Sequence, residues 1–283
     1  MRPARRLRLS GAATLLARAG LTALALLALG VPLLGTLVSA FTRKVSDGLA
    51  PGNLTLEHFF EAGRSGLAGP FAFSGTLALL AASAAVLLGL GLAGMLNRPG
   101  RLSRLLDLAL LGAMALPGLV LAAGYIFAFN QPFLALYGTP FLLGAAYAAG
   151  GMPAASRLLL GPLAQLHRSL SESARVHGLS GGAVLRRVTG PLLAVPLFSA
   201  WLLAATHVMF ELPMSELLYP PGSPPLPVAL VTYVNNFDFG LGAALELEAV
   251  ALVLLAVSLL RWLFARLTPP GWRRGALERG SAR

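Results

Sequence analysis

The side chains that most often perform chemistry in proteins are few and scattered in this sequence. It contains no cysteine, which excludes disulfides, thiolate nucleophiles and cysteine-based metal sites. None of the histidines belongs to a metal-ligand motif such as His-Glu-x-x-His, because they are far apart: His58, His167, His177 and His207. The phosphate-binding motif Gly-x-x-x-x-Gly-Lys-Ser/Thr is also absent. The sequence therefore predicts no catalytic residues, no metal site and no cofactor bound by this chain.

Glu211 is the most informative acidic residue, because it falls near the end of a long apolar run, with His207 one helical turn before it. A carboxylate at membrane depth is costly and is by default a functional candidate. The alternative is an interfacial side chain that reaches water or pairs with His207. Tyr233, in a later segment, is a third candidate for lining a path through the membrane.

A polar stretch, residues 172–191, interrupts the apolar sequence and reads ESARVHGLSGGAVLRRVTGP. Its first residues favour a helix, with Ser171 as a cap and Glu172 near the positive helix end. Gly178 is predicted to end this helix in a left-handed conformation that a side chain would penalise. Pro191 begins the next apolar run. The stretch predicts a helical segment for contacting a partner; the alternative is an ordinary solvated loop.

The composition identifies the class of protein around these residues. Of 283 residues, 56% are hydrophobic and 12% are charged, whereas soluble proteins carry about 25% charged residues. Six apolar runs are long enough to cross a membrane: residues 19–41, 71–96, 105–129, 139–160, 191–212 and 241–264. The first run resembles a signal peptide but exceeds the roughly 7–15 residues of a signal core, which favours an uncleaved helix. The sequence predicts an all-α membrane protein of six transmembrane helices.

Details within this organisation are also predicted. Pro117-Gly118 is expected to kink the third helix, and the segment 54–62 to lie at the membrane surface as a short amphipathic piece. Residues 130–137 are expected to form a short loop, and residues 213–240 a proline-rich loop. The domains are a basic N-terminus (1–18), a transmembrane domain (19–264) containing the polar segment 161–190, and a basic tail (265–283).

The distribution of basic residues predicts the orientation. The net charge is +11, and 19 of the 22 Lys and Arg residues, all except Arg43, Lys44 and Arg64, fall on the side that holds both termini. Positive charge accumulates on the cytoplasmic side, so both termini and the polar segment are expected to be cytoplasmic. This asymmetry accounts for the net charge without nucleic acid.

The polar segment resembles a motif of the permease subunits of bacterial ABC importers. That family carries Glu-Ala-Ala, three residues, Gly, nine residues and Ile-x-Leu-Pro in the cytoplasmic loop between its fourth and fifth helices. The matching positions here are Glu172, Ser173, Ala174, Gly178, Val188, Thr189, Gly190 and Pro191. The departures are Ser173, Val188 and Gly190, and Gly190 is expected to loosen the entry into the fifth helix. The resemblance covers most of the chain and implies a MetI-like permease fold.

The resemblance implies a transport subunit of the bacterial inner membrane that performs no chemistry. The motif would form a coupling helix that docks on a separate ATP-binding subunit. The residues it assigns to docking are Glu172, Ser173, Ala174, His177, Gly178 and Pro191. The implied partners are a pair of ATP-binding subunits that use ATP and Mg, a second permease subunit, identical or related, and an extracytoplasmic substrate-binding protein, all in contact with membrane lipid.

The region from Glu211 to Gly222 also resembles the ferric-iron permeases, a subgroup related to spermidine, thiamine, sulfate and phosphonate permeases, so iron is one expected cargo. The acidic residues Glu216, Asp238, Glu246 and Glu248 suit a cationic cargo or a basic patch on a binding protein, or simply mirror the positive-inside bias. The alternative functions are an ion-gradient-driven secondary transporter, which would need ionisable residues buried in several spans or repeated broken helices, and a membrane-embedded enzyme.

Overall fold

A computed structural model describes residues 11–64, 66–166, 173–174 and 176–268, and its regular structure is almost entirely helical. The helices in this part of the chain are α1 (Gly11–Phe41), α2 (Glu57–Ala62), α3 (Ala68–Leu96), α4 (Arg101–Ala115), α5 (Gly118–Phe129), α6 (Pro140–Ala164), α7 (Gly181–Met209), α8 (Pro213–Leu218), α9 (Leu226–Asn235) and α10 (Phe239–Leu267). Two short strands, β1 (Asn130–Gln131) and β2 (Leu134–Ala135), form an antiparallel hairpin in which Asn130 lies opposite Ala135.

Helices α1 and α7 each contain a π-helical turn, at Leu26–Gly30 and Leu185–Thr189. In both helices a proline follows two residues after the turn ends, Pro32 in α1 and Pro191 in α7. Proline lacks an N–H group, and its ring clashes with the carbonyl four residues earlier in a regular α-helix. The wider π-helical turn relieves this conflict, so both helices continue through the proline.

The described residues pack as two units, and the first comprises residues 11–64 and 233–250. Its loop after α1 is held by Asn53, whose Nδ2 donates to the carbonyl oxygens of Lys44 and Gly48, each at 2.7 Å. The ring of His58 lies 3.1 Å from the Thr42 carbonyl oxygen through Nε2. A Cβ added to Gly240 would lie 2.6 Å from His58 Cε1, so the start of α10 approaches this ring closely.

The second unit comprises the described residues of 66–232 and 251–268, with α3, α6 and α7 at its centre. The face of α3 toward α6 is lined by small buried side chains at helical spacing: Ala78, Ala82, Ala85, Gly89 and Ala93. Lipid tails are as apolar as these side chains, so the hydrophobic effect does not bring membrane helices together. Helices in a membrane therefore associate mainly through such close packing. The contact is tight at Gly89, where an added Cβ would lie 2.9 Å from Ala155 Cβ and 2.9 Å from Ser156 N.

Four helices of the described chain are long and apolar enough to cross a membrane: α1, α3, α7 and α10. Helices α4 and α5 make a fifth span if they are taken as one broken helix, since they meet at an angle of 104°. The kink predicted at Pro117-Gly118 is confirmed, because Leu116, which precedes the proline, is extended and ends α4. Helix α6, predicted as the fourth span, has 25 residues but is less apolar, with Pro153 and Arg157 in its interior.

Three segment predictions are corrected. The fifth helix was expected over residues 191–212, but α7 begins at Gly181 and ends at Met209, so the polar segment 161–190 overlaps both α6 and α7. The expected proline-rich loop at 213–240 contains α8 and α9, because Pro213 and Pro227 occupy the first helical turn, where proline is compatible with a helix. The expected loop at 130–137 contains the hairpin of β1 and β2. The segment 54–62 contains α2, with Phe60 exposed.

Candidate functional site

The predicted coupling segment contains a helical turn that ends at Gly178. The backbone N–H of His177 donates to the Ser173 carbonyl, and that of Leu179 donates to the Ala174 carbonyl, each at 3.1 Å. Gly178 has a φ of 80°, which confirms the predicted left-handed conformation. The bond from Leu179 back to Ala174 spans six residues and, with Gly178 between them, forms a Schellman ending. The turn therefore ends at a fixed point before α7.

This turn presents its side chains outward. Ser173, His177 and Gly178 are exposed, Ala174 is half-buried, and Val176 is 85% exposed. Glu172, the first residue of the predicted motif, lies outside the described residues. Val176 is an exposed apolar side chain beside small and polar residues, so contact with a partner would remove apolar area from water.

Pro191, the last predicted docking residue, lies within α7 and is half-buried. It follows the π-helical turn, so it is part of a continuous helix that runs from the polar segment into the apolar span. The start of this helix is capped by Ser180, whose Oγ accepts from the Ala183 N–H at 3.4 Å. The Gly178 turn is therefore followed, after two residues, by a helix that is long and apolar enough to cross a membrane.

Glu211, the predicted candidate for the transport path, follows the end of α7 and caps α8. Its Oε2 accepts from the backbone N–H of Met214 at 2.9 Å and from that of Ser215 at 3.2 Å. The first N–H groups of a helix have no partner within the helix and carry partial positive charge. The carboxylate of Glu211 satisfies two of them, so it is held in a fixed orientation at the start of α8.

A second contact fixes α8 against α6. The hydroxyl groups of Tyr147, in α6, and Ser215, in α8, are 2.5 Å apart, and both residues are buried. Ser215 Oγ also donates to the Glu211 carbonyl oxygen. The break between α4 and α5 lies beside this network, since a Cβ added to Gly118 would be 3.3 Å from Glu211 Oε1. Glu211 thus connects the end of α7, the start of α8 and the broken span.

A cavity of about 550 Å³ adjoins this network. Glu211 and His207 both line it, so the structure brings these two predicted residues together. The other walls come from α4, α5, α6 and α8 and include Tyr147 and Gly118. Tyr233 is not among the described residues that line this cavity. It belongs to the first unit, where a Cβ added to Gly242 would lie 3.5 Å from the Tyr233 Cβ.

Several polar residues of this region were not predicted from the sequence as candidates for a functional site. Tyr147 and Ser215 are 68 positions apart, and only the fold pairs them. Arg157 of α6 and Asp107 of α4 form an ion pair at 2.7 Å, and both charges fall inside predicted apolar runs. Their positions within apolar runs indicate an ion pair, because charged side chains in membrane spans are rare and usually paired. Among the described residues, no three His, Asp or Glu side chains are placed to hold a metal ion.

Comparison with known proteins identifies the family. Residues 85–270 match the model of the binding-protein-dependent transport system inner membrane component. The chain is 30% identical over 239 residues to PhnV of Salmonella typhimurium (strain LT2), which is assigned as a 2-aminoethylphosphonate transport system permease; the match covers 84% of this chain and 89% of PhnV. It is also 30% identical over 255 residues to y4fN of Sinorhizobium fredii (strain NGR234), which is assigned as an ABC transporter permease. That match covers 84% of this chain and 44% of y4fN, which is a longer protein.

Solved structures share the fold at low sequence identity. A bacterial alginate ABC importer in complex with an alginate-pentasaccharide-bound periplasmic protein has a TM-score of 0.66 and 15% identity, over 90% of this chain and 95% of that chain. The MetNI methionine ABC transporter in its inward-facing conformation has a TM-score of 0.55 and 16% identity, over 71% of this chain and 94% of that chain. The chain therefore belongs to the binding-protein-dependent family of ABC importer permeases, and is a non-catalytic, multi-pass subunit of the bacterial inner membrane.

Proposed function

We propose that this permease imports an organophosphonate, with 2-aminoethylphosphonate as the first candidate, and that ATP hydrolysis by a separate pair of subunits drives it. The cargo assignment is supported by PhnV, which is similar over 84% of this chain. The expectation of ferric iron, which rested on a short apolar and proline-rich resemblance, has no support among the relatives named above. Family membership also favours an ATP-driven importer over the ion-gradient alternative.

The observation that carries the coupling proposal is the exposed turn ended by Gly178. Most of its described side chains are exposed, yet its backbone is fixed by the Schellman ending and is followed closely by α7. A surface with these properties suits docking on the ATP-binding subunit through Glu172, Ser173, Ala174, His177 and Gly178. Closure of the ATP-binding pair would then shift α7 and bias the bundle between inward-open and outward-open states.

The proposed topology has six spans, with both termini in the cytoplasm. The four apolar helices, the broken α4–α5 pair and α6 would make up the six. The lower hydropathy of α6 is compatible with a span, because its buried faces contact protein rather than lipid. Orientation is supported by the 19 of 22 Lys and Arg residues, all but Arg43, Lys44 and Arg64, on the side of the termini. Residues 1–18 and 265–283 would then flank a permease domain at 19–264.

The proposed assembly contains two ATP-binding subunits, which use ATP and Mg, a second permease subunit and an extracytoplasmic binding protein. The alginate importer, solved with its periplasmic protein, supports the last of these partners. No cofactor is assigned to this chain.

The proposed cargo path passes the cavity that Glu211 and His207 line. The ammonium group of 2-aminoethylphosphonate can approach the carboxylate of Glu211, and a ring N–H of His207 can donate a hydrogen bond to a phosphonate oxygen. Tyr233 would act separately, in docking or at the entrance. This path requires no chemistry on the cargo, only weak polar contacts that form and break.

Coupling is tested with the complex of this permease and its ATP-binding subunits in proteoliposomes. Gly178→Ala strains the turn by about 1 kcal/mol, because alanine disfavours positive φ, and Glu172→Ala removes the first motif residue. We expect either change to lower cargo-stimulated ATP hydrolysis or release the ATP-binding subunits while membrane insertion is retained. Gly182→Ala is the matched control, since nothing lies within 4 Å of its added Cβ. Unchanged uptake and association in both variants would contradict the coupling proposal.

Cargo is tested separately by binding and uptake. The binding protein encoded with this permease should bind radiolabelled 2-aminoethylphosphonate, and cells lacking the permease should lose its uptake. Ferric iron, spermidine and thiamine serve as competitors. Displacement by iron and not by phosphonate would refute the cargo assignment and leave the coupling proposal intact.

A further inference from the structure

A groove of about 670 Å³ runs between α7 and α10 in the second unit. On α7 it is lined from Val195 to Thr206, and on α10 and the residue that follows this helix from Val257 to Thr268. The lining positions recur every three or four residues, so each wall is one face of a helix. The helices meet inside the groove at Phe198 and Phe264, whose rings are stacked with centroids 4.1 Å apart.

The length and polarity of the groove suit a hydrocarbon chain. Eleven residues separate the first and last lining positions on each helix, which corresponds to about 16 Å at 1.5 Å per residue. One leaflet of a bilayer has about the same depth, half of a hydrocarbon core of about 30 Å. Seven of the eleven described lining residues are apolar: two valines, two leucines, two phenylalanines and one alanine. A small polar cargo would lose its hydration there and gain few hydrogen bonds.

Arg261 differs from the other polar lining residues, Ser199, Thr206 and Thr268, because it carries a charge. It is the charged residue among the lining positions, and the ion pairs within the described chain join Arg43 to Glu57 and Arg157 to Asp107. Arg261 therefore has no carboxylate partner among the described residues. A guanidinium at membrane depth needs an anion or water, and its planar fork of donors suits phosphate oxygens.

The neighbours of Arg261 on α10 are those of a membrane interface. Trp262 follows it and is exposed, and the Arg266 guanidinium lies 4.9 Å from the centre of the Trp262 ring. Tryptophan and arginine are both enriched where lipid headgroups meet the hydrocarbon core. Arg261 lies within the groove, between Val257 and Phe264, and a long arginine side chain can extend its charge toward the end of a helix, where a lipid headgroup would lie.

We propose that the α7–α10 groove binds an anionic phospholipid. An acyl chain occupies the apolar walls beside Phe198, Leu203 and Val257, and the headgroup phosphate accepts hydrogen bonds from Arg261. The lipid fills the space that Phe198 and Phe264 hold open between two spanning helices. This site is separate from the cavity at Glu211 and does not depend on the identity of the cargo.

Native mass spectrometry of the full-length protein in detergent tests the site. Phosphatidylglycerol and phosphatidylcholine with identical acyl chains are titrated in parallel, and we expect about fivefold tighter retention of phosphatidylglycerol, the effect of one cation near a charged headgroup. Arg261→Gln should abolish this preference. Arg266→Gln, on the same helix but outside the groove, should keep it. A wild-type protein without the preference, or an Arg261→Gln variant that retains it, would overturn the proposal.

A second measurement distinguishes lipid from the other occupants. Because the chain contains no cysteine, Leu203→Cys introduces one thiol into the groove. We expect phosphatidylglycerol to slow its reaction with a membrane-permeant maleimide and phosphatidylcholine to do so less. Efficient disulfide formation between two copies would mean that a second permease subunit covers the groove. Displacement of phosphatidylglycerol by 2-aminoethylphosphonate would mean that cargo binds there. Either result would overturn the lipid assignment.

Discussion

The α3–α6 contact and the α7–α10 groove belong to the same unit, and the size of the side chains distinguishes them. On α3, Ala82, Ala85 and Gly89 let the backbone of α6 approach until no room remains for one methyl group. Between α7 and α10, Phe198 and Phe264 meet ring to ring and leave a groove beside them. In a membrane, where lipid is as apolar as leucine, packing decides which helices are joined and which are separated.

The comparison also concerns polar groups. Around α6, the Tyr147 hydroxyl and the Arg157 guanidinium reach partners on α8 and α4. In the α7–α10 groove, Arg261 has no partner among the described residues. The contacts of α6 therefore hold a fixed arrangement, whereas the groove has both apolar surface and charge available for another molecule. Four substitutions test this difference by thermal unfolding of the protein in detergent.

Gly89→Leu should have the largest effect. Its Cβ would lie 2.9 Å from Ala155 Cβ and from the Ser156 backbone N, so α3 and α6 must separate. Overpacking of this kind costs about 3 kcal/mol or more. Gly91→Leu, two residues away, meets no atom within 4 Å of its Cβ and is the matched control. Equal melting temperatures for the two variants would show that the tight contact does not exist.

Tyr147→Phe should lower stability by about 1 kcal/mol, because it removes the hydroxyl that lies 2.5 Å from buried Ser215 Oγ. Tyr137→Phe is the control, since Tyr137 is exposed. A greater loss in the control would place the stabilising hydroxyl elsewhere. The double variant Tyr147→Phe, Ser215→Ala should cost less than the sum of the single changes, because the two residues share one bond.

Asp107→Asn should lower stability by a similar amount, about 1 kcal/mol, because it leaves the Arg157 guanidinium without its charged partner. Arg157 Nη2 is buried with no hydrogen-bond partner, so the loss of the 2.7 Å contact is poorly compensated. Glu57→Gln breaks the exposed pair with Arg43, at 3.6 Å, and should change stability by less than about 0.5 kcal/mol. The prediction fails if the exposed pair proves the more stabilising.

Ser199→Leu should have the smallest effect, within about 0.5 kcal/mol, because Ser199 lines the groove and is exposed. The adjacent Ala200 is buried against Val86 and Ala155 and provides the contrast. Ala200→Leu should cost about 2 kcal/mol through overpacking. If the two neighbouring substitutions were equally destabilising, the groove would be closed by packing and the comparison would be wrong.

Local backbone chemistry was predictable from the sequence. Pro117 constrains its own φ and the residue before it, and Gly178 tolerates positive φ, so the break between α4 and α5 and the end of the turn at Gly178 could both be predicted. Apolar length predicted the four strongest spans. The helices at Pro213 and Pro227 were not predicted, because proline was taken as a loop signal where it begins a helix.

Contacts between distant residues were not predictable in the same way. Glu211 was a candidate because it falls near the end of a long apolar run, but its role as the cap of α8 depends on where α7 ends. The pairing of Tyr147 with Ser215 needs the fold, since 68 positions separate them. Asp107 and Arg157 fall inside predicted apolar runs, where charged side chains are usually paired, so this ion pair was predictable from their positions.

The π-helical turn at Leu185–Thr189 affects the direction in which the residues before it face about the axis of α7. Each residue turns an α-helix by about 100°, and a π-helical turn accommodates about one additional residue. The residues before the turn are therefore rotated about the α7 axis, relative to those from Gly190 onward, by an angle that an uninterrupted helix would not give. Deleting a single residue within this turn would point the Gly178 end toward a different side of the molecule while leaving every apolar residue of the span in place.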